Sequence, residues 1–297
     1  LSFSARAAEP CEAQLKAALC VTSAPKHEIA YAWDKVACAP DSDRYLPAAL
    51  ELYRELPAPM RPLYCSLKRI FLSDALESVA FATVTMKAGE INGAYIAIRR
   101  ASFSESLTAS GLLTWKEQLN FGGSKTYLAH DPGLVELSYG FHLDNPRMDA
   151  LLYVTLHELG HVVDFQNKLS EPGGRWFSSS WATAQMPLPE AHFDGQEKIC
   201  YYRCQKTIVP ADAPALYASL KESAFITTYS GLSPREDFAE FWAWYLLREY
   251  KSADYRIRIP GQGEIEMNSV FTENPRVKQK MDLIREILSS PETKIGF

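Results

Sequence analysis

Apolar positions are densest between residues 146 and 168, where 151–165 is hydrophobic on nearly every side of a helix. A helix apolar all round belongs in a core rather than at a surface. Asn145 suits its N-cap and Pro146 its first helical position: an Asn oxygen accepts from an early N–H, and proline has no N–H to leave unsatisfied. A second helix is predicted from Ser233-Pro234 to about residue 250, and a third, amphipathic one over 275–289. Upstream, 12–19 is amphipathic. Helical periodicity runs through 46–56, stops at Pro57 and Pro59, and resumes over 61–69. Strand-like runs follow at 70–72, 79–86 and 94–98, with Gly89 and Asn92-Gly93 reading as turns between them, and another at 134–138. The stretch 102–120 reads as a polar connection. Residues 170–215, rich in Gly, Pro and Ser and carrying Trp176 and Trp181, read as a long excursion. Strands first and helices afterwards predict an α+β fold.

Charge and cysteine content narrow the setting. The 297 residues carry 31 Lys+Arg against 36 Asp+Glu, a net charge of −5, with no basic run. Nucleic acid and anionic membrane surfaces are therefore poor candidates for a main partner. No apolar stretch approaches the roughly 18–20 residues that a membrane span needs, so a soluble protein is expected. Six cysteines (Cys11, Cys20, Cys38, Cys65, Cys200, Cys204) leave none over if all pair, in any of 15 connectivities. Ala5-Arg6-Ala7 fits the small-x-small pattern before a signal-peptidase cut, so 1–7 reads as a signal-peptide remnant. Together these features predict an exported protein, secreted or periplasmic. Residues 8–40 read as a small helical arm stapled by disulfides, and Cys200–Cys204 as a structural disulfide.

The chemistry concentrates in His157-Glu158-Leu159-Gly160-His161. Positions i and i+4 of a helix share a face, so both imidazoles can hold one tetrahedral zinc through ring nitrogens at about 2.0–2.1 Å. Glu158, next to the first histidine, is placed to take the proton of a zinc-activated water. A charged triplet inside an otherwise apolar helix is costly unless something compensates it, and a metal would. A catalytic zinc also needs a third protein ligand, and the second helix offers Glu236, Asp237 and Glu240. Ser233-Pro234-Arg235-Glu236 also matches a capping box, in which Glu236 would cap its own helix. Asp237 reads as solvated. Other chemistries are absent: Gly122-Gly123 lacks the remainder of a phosphate loop, and no Gly-x-Ser-x-Gly elbow occurs.

Taken together, His157-Glu158-Leu159-Gly160-His161-Val162-Val163-Asp164, then Tyr229, Glu236 seven residues later and Glu240 four after that, resembles the catalytic domain of anthrax lethal factor. The Pro-Pro endopeptidases and the Mlc titration factor A peptidases share much of the pattern. The resemblance covers the two helices and the Tyr229 loop closely, the strands from about residue 70 loosely, and does not reach 1–40. It implies a gluzincin-type metallopeptidase: a zincin-like α+β domain over 41–297 with a small mixed sheet, an active-site helix and a C-terminal helical part. His157, His161 and Glu236 become the Zn2+ ligands and Glu158 the general base and acid. Tyr229 becomes a donor to the developing oxyanion, and Glu240 a brace behind a ligand histidine. Asp164, one turn past His161, could brace the site similarly; an ordinary helix-end carboxylate is the alternative. The 74 residues between His161 and Glu236 exceed what the resemblance leads one to expect, and 170–215 is the insertion that accounts for them. In this fold class an edge strand receives the substrate backbone; 93–98 is the candidate, an internal strand the alternative.

The expected protein is thus an exported zinc-dependent endopeptidase acting on protein or peptide, with a monomer favoured. An aminopeptidase or other zinc hydrolase on the same scaffold, or a binding protein that keeps a zinc site without catalysis, are the competing expectations.

Overall fold

The computed structural model describes residues 8–103, 107–201 and 207–296; the signal-like 1–7 lie outside them. The elements run α1 (Ala8–Ala18), β1 (Leu19–Thr22), α2 (Lys26–Ala32), α3 (Leu46–Glu55), α4 (Arg61–Cys65), β2 (Arg69–Ser73), β3 (Ala80–Lys87), β4 (Glu90–Ile98), α5 (Ala109–Gln118), β5 (Glu136–Gly140) and α6 (Asp149–Asn167). After them come α7 (Phe177–Ser180), β6 (Trp181–Thr183), β7 (Met186–Pro187), α8 (Ala213–Glu222), α9 (Pro234–Lys251), β8 (Asp254–Ile259), β9 (Gly263–Glu266), α10 (Ser269–Glu273) and α11 (Pro275–Ser289). The class is α+β. Among the described residues no helix is long and apolar enough to cross a membrane. The chain divides into two compact units, one drawn from Leu1–Leu107, Asp144–Asn167 and Glu292–Phe297, the other from Thr108–Leu143 and Lys168–Pro291.

The first unit is built on a mixed sheet in the order β1-β2-β4-β3. β1 and β4 flank β2 in parallel, and β3 returns antiparallel on β4. Two findings depart from the sequence expectation. Within 8–40, expected to be helical, Leu19-Cys20-Val21-Thr22 forms a buried strand on β2, because a short apolar run gains more from the sheet than from continuing α1. Second, Asn92-Gly93 is no turn. The hairpin reverses where Gly89 predicts, at Ala88 (φ 54°) and Gly89 (φ 85°), the two positive φ values of a type I′ turn. Asn92 lies inside β4 and accepts from the Thr85 hydroxyl at 2.8 Å, beside the register shift at Thr85/Met86. Consequently 93–98 is paired on both sides and is no edge; the outer strands are β1 and β3. On β1, Val21 is already engaged outward, its N–H by Ser42 Oγ and its carbonyl by the Ala39 N–H.

Disulfide Cys11–Cys65 ties α1 to the end of α4, and Cys20–Cys38 ties the loop after α2 to β1. Cys200 is also disulfide-bonded, and its expected partner Cys204 lies outside the described residues. Helix α6 packs on β3, β4 and α3. Asn145 caps the turn that leads into it, accepting from the Arg147 N–H at 3.0 Å. Its C-terminal end is held by the last residues of the chain. Asn167 bonds both the N–H and the carbonyl of Lys294, and Gln166 donates to the Gly296 carbonyl.

The second unit carries an antiparallel sheet, β5-β8-β9. Where another strand would lie beside β5, α5 takes its place. Ser110 Oγ accepts from the Tyr139 N–H and donates to its carbonyl, and Thr114 Oγ1, one turn on, does the same at Leu137. The 102–120 stretch is therefore no mere connection. It looks polar because its buried face is polar, each hydroxyl satisfying a strand backbone that would otherwise be orphaned. The 170–215 excursion is anchored rather than loose: Trp176 and Trp181 are both buried.

Burial also sets an alkaline limit on the first unit. Tyr95 in β4 is buried and donates to the carbonyls of Ile29 (2.9 Å) and Ala30 (3.2 Å), and burial pushes its phenol from 10.0 up to about 12. The unfolded chain ionises this group first, so its contribution is complete below pH 10 and drains as pH rises through 12. Ionising a phenol displaced that far withdraws roughly 2–3 kcal/mol of stability. Tyr95→Phe should cost about 1 kcal/mol at neutral pH and flatten the loss between pH 10 and 12, read from urea midpoints across that range.

Candidate metal centre

Helix α6 presents a stripe of rings at i, i+4 spacing: Tyr153, His157, His161 and Phe165. The two imidazoles stand edge to face with centroids 4.8 Å apart, and Phe165 stacks beyond His161. His157 and Glu158 are buried, at 7 % and 5 % exposure, in a helix whose other buried positions are overwhelmingly apolar. Asp164, on the same helix, is buried at 1 %.

His157 and His161 stand one turn apart in the first unit, and Glu236 opens α9 in the second. Two imidazole nitrogens and one carboxylate oxygen are a donor set suited to a borderline divalent ion, and three protein ligands leave a fourth position for a reactant.

Glu236 sits in the first turn of α9, which Ser233 caps by accepting the Glu236 N–H at 3.3 Å, with Pro234 at the first position. That is the serine half of a capping box. The neighbour of Glu236 overturns an expectation: Asp237 is not solvated but fully buried. Its carboxylate accepts from Trp176 Nε1 (2.9 Å), Trp181 Nε1 (3.0 Å) and Lys280 Nζ (2.7 and 2.9 Å). Lys280 also donates to the Ala224 carbonyl and lies against the rings of Trp176, Phe225 and Phe241. Burial raises the Asp237 carboxyl and lowers the Lys280 ammonium from their ordinary values; their mutual attraction opposes both shifts. The first turn of α9, and Glu236 with it, is thereby pinned to the excursion and to α11.

Tyr229 opens the tight turn Tyr229–Leu232 that leads into Ser233. Its ring is sandwiched: Lys116 Nζ lies 3.1 Å from the centroid on its face, and Tyr201 meets it edge-on at 4.9 Å. Lys116 also lies 3.8 Å from Glu240, whose other oxygen accepts from Thr227 Oγ1 at 2.9 Å. Beside Lys116, Glu117 is buried and accepts from Tyr217 Oη (2.7 Å), Thr228 Oγ1 (2.7 and 2.8 Å) and Tyr201 Oη (3.3 Å). Burial pushes the Glu117 carboxyl up, while the hydroxyls of Tyr217, Thr228 and Tyr201 and the Lys116 charge pull it down. Lys116 and Glu117 escape sequence reasoning because they belong to no spacing motif. Only the helical character of α5 could have drawn attention to them.

No family model matches the chain, and no curated protein or solved structure matches it either.

The Asp237–Lys280 pair predicts an asymmetric response to mutation. Removing one partner strands a buried charge, so Lys280→Met should cost about 3–5 kcal/mol in urea unfolding. Asp237→Asn added to Lys280→Met should recover part of that loss, and additive costs would disprove the coupling.

Proposed function

We propose that this protein is a zinc-dependent endopeptidase of gluzincin type on a zincin-like α+β scaffold. The observation that carries the reading is the placing of His157 and His161 one turn apart on a buried helix, with Glu158 next to His157. A structural metal site has no need of a carboxylate at that position, whereas a hydrolase needs a base there.

His157, His161 and Glu236 would hold the ion. Zinc bound there supplies Lewis acidity, which acidifies water and favours negative charge on a carbonyl oxygen. Glu158 takes the proton from the attacking water as its oxygen bonds to the scissile carbonyl carbon. It then delivers that proton to the amide nitrogen as the C–N bond breaks, so one carboxylate serves as base and then acid. The Tyr229 phenol donates a hydrogen bond to the carbonyl oxygen as charge develops on it. Glu240 and Asp164 are the carboxylates that would orient the ligand histidines.

The substrate strand also has a candidate dock. β3 is an outer strand of its sheet and packs against α6, so it replaces 93–98 as the edge onto which an extended peptide could add. The disulfides Cys11–Cys65 and Cys20–Cys38 fit an oxidising, extracytoplasmic setting.

Digestion of a diverse blocked-peptide library, read by mass spectrometry beside zinc content by elemental analysis, tests the reading. Glu158→Gln should keep zinc at wild-type stoichiometry and lose about 10²–10⁴-fold in kcat. His157→Ala and Glu236→Ala should lose the metal. Full zinc in Glu236→Ala would move the third ligand elsewhere, cuts confined to free N-termini would make the enzyme an aminopeptidase, and a fully active Glu158→Gln would remove the assigned base.

A further inference from the structure

Tyr229 sits on a turn, and turns are poor places from which to aim a hydrogen bond unless something holds them. In the second unit three consecutive residues of this turn are each held by a charged group. Thr227 is bonded to Glu240, Thr228 to both oxygens of Glu117, and the Tyr229 ring carries the Lys116 ammonium on its face. Two of those charged groups are adjacent on α5. Successive helix residues point about 100° apart, so Lys116 reaches the ring while Glu117 reaches the backbone neighbour of the same tyrosine. Helix α5 is itself fixed, because Ser110 and Thr114 bond it to the β5 backbone at two levels. Tyr201 closes the arrangement, meeting the Tyr229 ring edge-on and donating to Glu117 through its hydroxyl.

We infer that the Lys116-Glu117 pair of α5 is the positioning device for the Tyr229 phenol: Glu117 fixes the turn and Lys116 fixes the ring. The cation on the ring face also draws electron density from the phenol and strengthens its O–H as a donor. The inference rests on the reading of Tyr229 as the donor to the reacting carbonyl oxygen. Neither residue touches substrate in this scheme; both act through the tyrosine.

The test uses the full chain with Lys116→Met, Lys116→Arg, Glu117→Gln and Tyr229→Phe, and Lys116→Met in the Tyr229→Phe background. The Lys116 side chain is 13 % exposed and lies beside the buried Glu240, so thermal melts establish that each variant is folded, and Lys116→Arg, which keeps the charge, holds the comparison where Lys116→Met does not fold. Hydrogen–deuterium exchange is measured without substrate. The amides of Ile226, Thr227, Ser230 and Gly231, all bonded within the turn, should exchange about tenfold faster in Lys116→Met, with the α5–β5 amides unchanged. On the best library peptide, Lys116→Met should lower kcat about 10–100-fold with KM within about twofold, and Lys116→Arg should restore most of it. In the Tyr229→Phe background, Lys116→Met should cost nothing further. An equal loss in both backgrounds, or unchanged exchange in the turn, would overturn the inference. A wild-type protein that cuts no peptide would instead sink the peptidase reading, while the exchange data would still decide whether α5 holds the turn.

Discussion

A carboxylate taken out of water must be given back the donors it lost, or it costs several kcal/mol. The second unit accepts this cost at three positions, and much of its architecture follows from how it is met. Asp237 gathers two indoles and an ammonium; Glu117 gathers three hydroxyls; Glu240 gathers a threonine and a lysine. The donors come from far along the chain: Trp176 is 61 residues from Asp237, and Thr228 is 111 from Glu117. Each acid therefore works as a non-local staple. It draws in a segment that hydrophobic burial alone would leave free to slide, because a hydrogen bond has a direction and apolar contact has none.

This explains what can and cannot be read in the sequence. Helices α6, α9 and α11 are legible because their burial is apolar and repeats at the helical period. Strands β2, β3 and β4 are legible as runs of Ile, Phe, Val and Tyr. Helix α5 is not, since Ser110, Thr114, Glu117 and Gln118 bury polar atoms, and a hydropathy pattern scores those as exposed. Asp237 misleads for the same reason: a carboxylate in a first helical turn is normally solvated, and only the fold brings Trp176, Trp181 and Lys280 to it. The strand β8 is written in plain alternation, with Tyr255, Ile257 and Ile259 buried between Asp254, Arg256 and Arg258, but three of its six residues are charged.

The candidate site divides along the same line. His157, Glu158 and His161 announce themselves because a metal demands fixed spacing on one helix, and that spacing survives in the linear sequence. Glu236 and Tyr229 stand out only as parts of a longer pattern. Lys116 and Glu117 have no pattern at all, since what they do depends on where α5 packs.

The composition of the first unit has a consequence for how the chain can be made. Its sheet is finished by residue 98, yet α6 comes more than fifty residues later, and the segment that bonds Gln166 and Asn167 lies 127–130 residues beyond them. A chain emerging from the ribosome in order holds its first half unfinished until residues 294–296 appear. The sheet, already cross-linkable through Cys11–Cys65 and Cys20–Cys38, must wait with an apolar face uncovered. Synthesis speed and chaperone access, as much as equilibrium stability, would then set the yield of folded protein.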